Sequence, residues 1–359
     1  MKRGETRGLV CLVFAVTLAF TLASGASAQP GEFVKGVLQP LADGFPNRPI
    51  TIIVVDDPGT SDDLYAKALQ ASLKDISPVN IRVVNEPSPV GGTWYVVQDI
   101  PRREGGRDGY YVIVIPAFGM ATDLLTEPGT KEIGAKLDQM SVVISTDITP
   151  FIWLQRKNAP WGLQMADMVK YAKANPGKVR FIPEVGSAFD IVGEYVFNAT
   201  GIKVNKIPQG SQQEAASTVG AGEGDVTVLG LTTAYANFQT GRVDVSLVMG
   251  DTVPEVFKKA NPGLQCAKDL GLSTFIGVTK WGYSTSSQVP RAHIDWLYKL
   301  FKAGGTSNQF KEMRSKVMPG IVFQIADPET MDAELVKINT AMDPILREIG
   351  LHIDVIKKK

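Results

Sequence analysis

From Pro49 onward the sequence alternates short β-rich apolar runs with helix-patterned segments, and this alternation confines the chain to the α/β class. Ile50–Val55 is apolar at nearly every position, as expected of a strand covered on both faces. A helix follows over Asp62–Lys74, with Leu64, Ala68, Leu69 and Leu73 on one side, and Thr60 with Asp63 three residues later matches a capping box. Further strands are expected at Ile81–Asn85, at Tyr110–Ile115 after the Asp108-Gly109 turn, and at Val142–Thr146 and Phe151–Gln155 around a kink at Thr149-Pro150. Met165, Met168, Val169 and Ala172 form a helical stripe that stops at Pro176-Gly177. Strand-like runs recur at Val179–Ile182, Val204–Ile207, Val226–Leu229, Val243–Met249 and Ser273–Thr279. The C-terminal part reads as helices over Arg291–Ala303, Asn308–Val317 and Pro328–Ile349. The pattern predicts parallel sheets, and 359 residues are enough for about two domains.

The N-terminus is a separate matter. Lys2, Arg3 and Arg7 precede an apolar stretch, Leu9–Ala23, which ends in small residues and Ala26-Ser27-Ala28. This is the pattern of a secretory signal peptide cleaved after Ala28, so the mature chain is expected to be exported. The stretch is shorter than the roughly 20 apolar residues a spanning helix needs. Its removal takes Lys+Arg against Asp+Glu from 37 and 37 to 34 and 36, and leaves Cys266 as the only cysteine. No internal disulfide is then available, so the core must hold the fold. The balanced charge lacks the basic footprint of a nucleic-acid binder.

Chemistry-bearing motifs are scarce. His293 and His352 are the only histidines, and no H-E-x-x-H, C-x-x-C or G-x-S-x-G spacing occurs. Gly220-Ala221-Gly222-Glu223-Gly224 leads from a helix into a strand, the reverse of the order a dinucleotide loop needs. Asp56, Asp57, Asp62 and Asp63 lack the spacing of a calcium loop and suit the first turn of a helix. The expectation is no catalytic residue, no metal and no cofactor. An enzyme using paired acids, such as Asp63 with Asp190, is a rival that lacks a nucleophile constellation.

Several segments, in order, resemble the periplasmic receptors of tripartite tricarboxylate transporters, the Bug family. They are Phe45-Pro46-Asn47-Arg48-Pro49-Ile50-Thr51, Asn85-Glu86-Pro87 with Gly91-Gly92, Asp108-Gly109-Tyr110, and Tyr171-Ala172-Lys173-Ala174-Asn175-Pro176-Gly177-Lys178. Gly186-Ser187 with Gly193-Glu194, Ile207-Pro208, and Gly222-Glu223-Gly224-Asp225 follow. The resemblance implies a two-domain, type II-like periplasmic-binding-protein clamshell with a ligand cleft between lobes. Domain 1 would comprise 29–147 plus 277–359, and domain 2 would comprise 148–276. The implied function is capture, in the periplasm, of a small organic acid (a carboxylate) or related polar metabolite for delivery to the membrane permease subunits of a tripartite transporter. The implied receptor is a monomer. The same fold docking on a signalling receptor is the alternative.

The family holds its ligand at loop–helix junctions. Carried onto this chain, the first loop offers Asp56, Asp57, Gly59, Thr60, Ser61 and Asp63, and the second Ala117, Phe118 and Gly119. The third offers Gly186, Ser187, Ala188, Phe189 and Asp190, with Gln209 where the family has a tyrosine. Gly230-Leu231-Thr232-Thr233 is a fourth lip, with Thr232 as its ligand contact. The acids in the first and third loops depart from the family pattern, so an amino acid or amine is a rival ligand to a di- or tricarboxylate.

Overall fold

The computed structural model describes residues 29–88 and 92–356. The signal peptide expected over 1–28, Gly91 and the basic tail 357–359 lie outside the described residues.

Two mixed sheets organise the chain. The six-stranded sheet runs Val322–Ala326, Met140–Pro150, Val278–Ser286, Tyr111–Pro116, Ile50–Val54, Ile81–Asn85. The five-stranded sheet runs Val243–Val248, Ile152–Arg156, Val226–Leu229, Arg180–Phe181, Asn205–Lys206. Strands linked by helices are parallel, as Ile50–Val54 is to both its neighbours. The expectation of wholly parallel sheets is corrected elsewhere: Val278–Ser286 is antiparallel to both neighbours, and so is Ile152–Arg156. These strands enter their sheets where the chain passes from one sheet to the other, without the crossover helix that enforces parallel pairing.

Most elements lie within a residue or two of expectation; three do not, the first being the strand expected at Val142–Thr146, which runs Met140–Pro150 through the expected kink. The strand expected at Ser273–Thr279 begins at Val278 and runs to Ser286. Its end, Ser284, Thr285 and Ser286, is polar yet buried, so no apolar run marks it. Val322–Ala326 is an edge strand with alternate residues exposed, which the sequence reading passed over.

Ser61–Leu73 shows how loop residues start a helix. Thr60 occupies the N-cap with extended backbone, but its hydroxyl makes no cap bond, so the expected capping box does not form. The Asp63 carboxylate instead accepts from the N–H of Gly59 at 2.7 Å. Gly59 sits at φ +92, a left-handed conformation that favours glycine. Tyr65 rather than Leu64 leads the buried face.

The sheets are joined where Pro150 leads through Phe151 to Ile152, and again where Gly277 leads into Val278. Here the Phe151 N–H donates to Gly277 carbonyl oxygen at 2.7 Å, and the Met249 N–H donates to that of Phe151 at 2.9 Å. The connecting segments therefore lie side by side at the base of the gap between sheets. Among the described residues no helix is long and apolar enough to cross a membrane.

Candidate ligand-binding cleft

A cavity of about 430 Å³ opens directly above these connections. From the six-stranded side it is lined by Asp56, Gly59, Thr60, Ser61 and Asp62, by Pro116 and Gly119, and by Met318. From the five-stranded side come Ala188 and Phe189, Gln212, and Gly230 to Thr233. Thr149, Phe151, Thr279 and Trp281 form the floor. The lips meet across the opening, where Ser61 Oγ donates to Thr232 Oγ1 at 3.2 Å.

The cavity gathers helix starts. The first residues of Ser61–Leu73, Ala117–Thr126, Ala188–Thr200, Gln212–Gly220 and Leu231–Gln239 all reach or adjoin its wall. The first N–H groups of any helix lack an intrahelical acceptor and carry the positive end of its dipole. Five such ends from both sides, joined by the hydroxyls of Thr60, Ser61, Thr149, Thr232, Thr233 and Thr279, suit an anionic oxygen group. Among the described residues no lysine, arginine or histidine lines the cavity.

Half of the site residues read from sequence line this cavity: Asp56, Gly59, Thr60, Ser61, Gly119, Ala188, Phe189 and Thr232. The others stand behind it. Asp57 makes the turn, its carbonyl accepting from the Thr60 hydroxyl at 2.8 Å. Asp63 is fully buried and pairs with Lys67 Nζ at 2.7 Å. Although burial opposes it, Lys67 and the Gly59 N–H hold that carboxyl below its usual range. Asp190 mirrors it, accepting from Gly186 N–H at 3.2 Å and pairing with Lys206 Nζ at 2.7 Å. Gly186, in left-handed backbone, thus shapes the turn beneath the lip. Ser187 caps the helix, accepting from the N–H groups of Phe189 and Asp190. Gln209 ties its backbone to Val185 and Pro183. Ala117 and Phe118 belong to the core, Phe118 lying edge-on to Phe151 at 5.8 Å.

The wall residues absent from the sequence reading come mainly from the floor. Thr149 and Phe151 flank the kink at Pro150, and Trp281 lies two residues beyond Thr279, so the crossover positions were the available signal. Met318 follows a helix and carries no such mark. Gln212 sits at a helix start, and its side chain accepts from the Gly230 N–H at 2.9 Å.

Behind the floor lies a buried ion pair. Arg314 donates to Asp147 at 3.1 and 3.2 Å, with both side chains wholly buried. The guanidinium lies 4.5 Å from the Tyr65 ring centroid and 5.7 Å from that of Trp281. Tyr65 donates to the Trp281 carbonyl at 2.9 Å, and Trp281 Nε1 to Thr149 Oγ1 at 2.8 Å. The indole is therefore fixed from behind and beside.

The acids at the cavity differ from those behind it. Burial in the cleft pushes the Asp62 carboxyl up to about 7, with Asp56 adding to the shift and Arg314 opposing it. Glu184, on the other side, is likewise raised to about 7 by burial and then by Asp56. Among the described residues no group of three or more His, Cys, Asp or Glu is arranged to hold a metal ion.

The model of the tripartite tricarboxylate transporter family receptor, TctC, matches residues 67–316. The chain belongs to this receptor family. A UPF0065 protein of Bordetella pertussis is 24% identical over 316 residues, covering 87% of this chain and 92% of its own. The crystal structure of a TctC solute-binding protein from Polaromonas, without ligand, superposes with a TM-score of 0.69 at 21% identity, covering 85% of this chain and 99% of that one. MatC from Rhodopseudomonas palustris, solved with bound malate, gives 0.65 at 16% identity over 84% of this chain and 100% of its own. The TctC receptor described here thus has the periplasmic-binding-protein fold, with two α/β lobes and a cleft between them. It is a solute-binding receptor and not an enzyme.

Proposed function

We propose that this TctC receptor is exported to the periplasm, where it captures a small organic acid between its lobes and passes it to the membrane subunits of a tripartite transporter. The observation that carries the reading is the convergence of five helix N-termini from both lobes on one cavity. Charge-assisted hydrogen bonds contribute about 1.5–3 kcal/mol each, so three or four supply the roughly 8 kcal/mol of a micromolar binder. The malate-bound relative lends the ligand class, a carboxylate, to the proposal. The proposed domains are 29–147 with 277–359, and 148–276, hinged at the paired segments around Phe151 and Gly277, with the receptor acting as a monomer. Domain closure on a ligand would then be a hinge motion.

The test is calorimetry of the mature protein with mono-, di- and tricarboxylates. A carboxylate is expected to bind near micromolar affinity, and Thr232→Trp, which fills the cavity from its lip, is expected to abolish binding without lowering the melting temperature of the free protein. Unchanged affinity in that variant would place the ligand elsewhere.

A further inference from the structure

The cavity that receives a carboxylate also presents carboxylates of its own. Asp56 and Asp62 both line it, on the loop and first helical turn of the same lip. Three of the acids behind the wall are matched with a cation: Asp63 with Lys67, Asp190 with Lys206, Asp147 with Arg314. Among the described residues neither Asp56 nor Asp62 has a basic side chain within ion-pair distance; the Asp56 carboxylate accepts from the Asp57 N–H at 2.9 Å, and Asp62 lines the cavity without a partner side chain. Among the described residues the far lip lines the cavity with helix N-termini, hydroxyls, Gln212 and the apolar Ala188, Phe189 and Leu231, with Glu184 outside the lining, while Phe151 and Trp281 supply apolar surface from the floor. A ligand with anionic groups at both ends would set one of them against these acids. A like-charge contact in a desolvated site is strongly unfavourable.

We propose that the cleft is built for a zwitterion, a small molecule whose carboxylate meets the helix N-termini and hydroxyls while its ammonium group meets Asp62 and Asp56. This rests on the reading of the cavity as the receptor site. The ligand then supplies the cation that the protein withholds. Asp62 must be ionised to meet an ammonium, and its carboxyl titrates near pH 7 in the unliganded cleft. The groups bearing on it are Asp56 on the preceding loop and Arg314 behind Trp281, with Glu184 facing Asp56 from the other lobe. Affinity for a zwitterion therefore rises from pH 6 to pH 8, with proton release on binding. Affinity for a dicarboxylate, which needs Asp62 neutral, falls over the same range.

The experiment is calorimetry at pH 6, 7 and 8 on the mature protein, using length-matched sets: monocarboxylates, α,ω-dicarboxylates, and α- and ω-amino acids of two to six carbons. The expected result is that one amino acid binds more tightly than the acids of its length, increasingly so with pH. Asp62→Asn is expected to weaken that binding about 10- to 100-fold, as loss of a charge-assisted bond implies, and to flatten the pH profile. The unliganded melting temperature of Asp62→Asn at pH 8 serves as the folding control. A dicarboxylate binding more tightly than its matched amino acid, with affinity kept or raised by Asp62→Asn, overturns the zwitterion and leaves the carboxylate receptor standing. Failure of every compound to bind overturns both.

Discussion

Asp62 and Asp63 are neighbours in sequence and opposites in environment. A helix turns about 100° per residue, so one faces the cavity and the other the helix–loop interior, beside Lys67 and Gly59. Sequence reasoning recognised an acidic loop but not this split, because residue type does not state which face of a first turn looks outward. It offered Asp63 as a ligand contact, whereas the cavity wall holds Asp62 and not Asp63. The difference has a pH signature. Asp62 is raised from 3.8 to about 7, so the folded state binds its proton more tightly than the unfolded state. Its contribution to stability is full below about pH 4 and is lost as pH rises towards 7. Asp62→Asn is thus expected to raise the melting temperature of the free protein at pH 8 and to leave it nearly unchanged at pH 4. Identical shifts at both pH values, in parallel thermal scans, would show that the burial does not act through ionisation. Arg314 is the counterexample, a charge that is buried and matched. Arg314→Ala strands Asp147 and is expected to cost about 3–5 kcal/mol in urea unfolding, whereas Arg314→Met combined with Asp147→Leu is expected to cost less.

Three of the five helices at the cavity are started by the same local device. Gly59 donates to Asp63, Gly186 to Asp190 and Gly210 to Glu214, every time from a glycine N–H to an acid four residues on. The acid ties down the turn before the helix, and at two of the three a serine hydroxyl also accepts from the first turn, Ser187 from Phe189 and Asp190 and Ser211 from Glu214. This accounts for Asp190, which the sequence reading weighed as a charge facing the ligand and as half of a catalytic pair. Further along the same helix, Gly193 lies against the Phe181 ring, where an added Cβ would come within 2.3 Å of it. Gly193→Ala must push the helix off the five-stranded sheet and is expected to cost about 1–3 kcal/mol, measurable by denaturant unfolding. Helices and apolar strands were legible because each declares itself by period or by an unbroken apolar run. The Val278–Ser286 strand was shifted because its buried serines and threonine satisfy the sheet without looking hydrophobic.

The cleft was only half legible because it is a property of the whole chain. Its lips are loops with recognisable glycines and hydroxyls, while its floor joins Thr149 and Phe151 to Thr279 and Trp281 across some 130 positions. No local pattern announces that proximity. Trp281 gives the floor an optical signal. It lines the cavity while Trp153 is wholly enclosed by the five-stranded side, packed near Phe181 and Phe197. Ligand addition is expected to change tryptophan emission in the parent protein and to leave Trp281→Phe silent; an undiminished change in that variant would move the reporter elsewhere. Cys266, the one cysteine among the described residues, carries a different consequence. Cys266 is buried at 4% exposure, and burial pushes its thiol up, away from the reactive thiolate. A second cysteine placed on either lip would be open to a maleimide dye where Cys266 is not. The fold is in that respect a ready chassis for a reagentless optical sensor of whatever metabolite it captures.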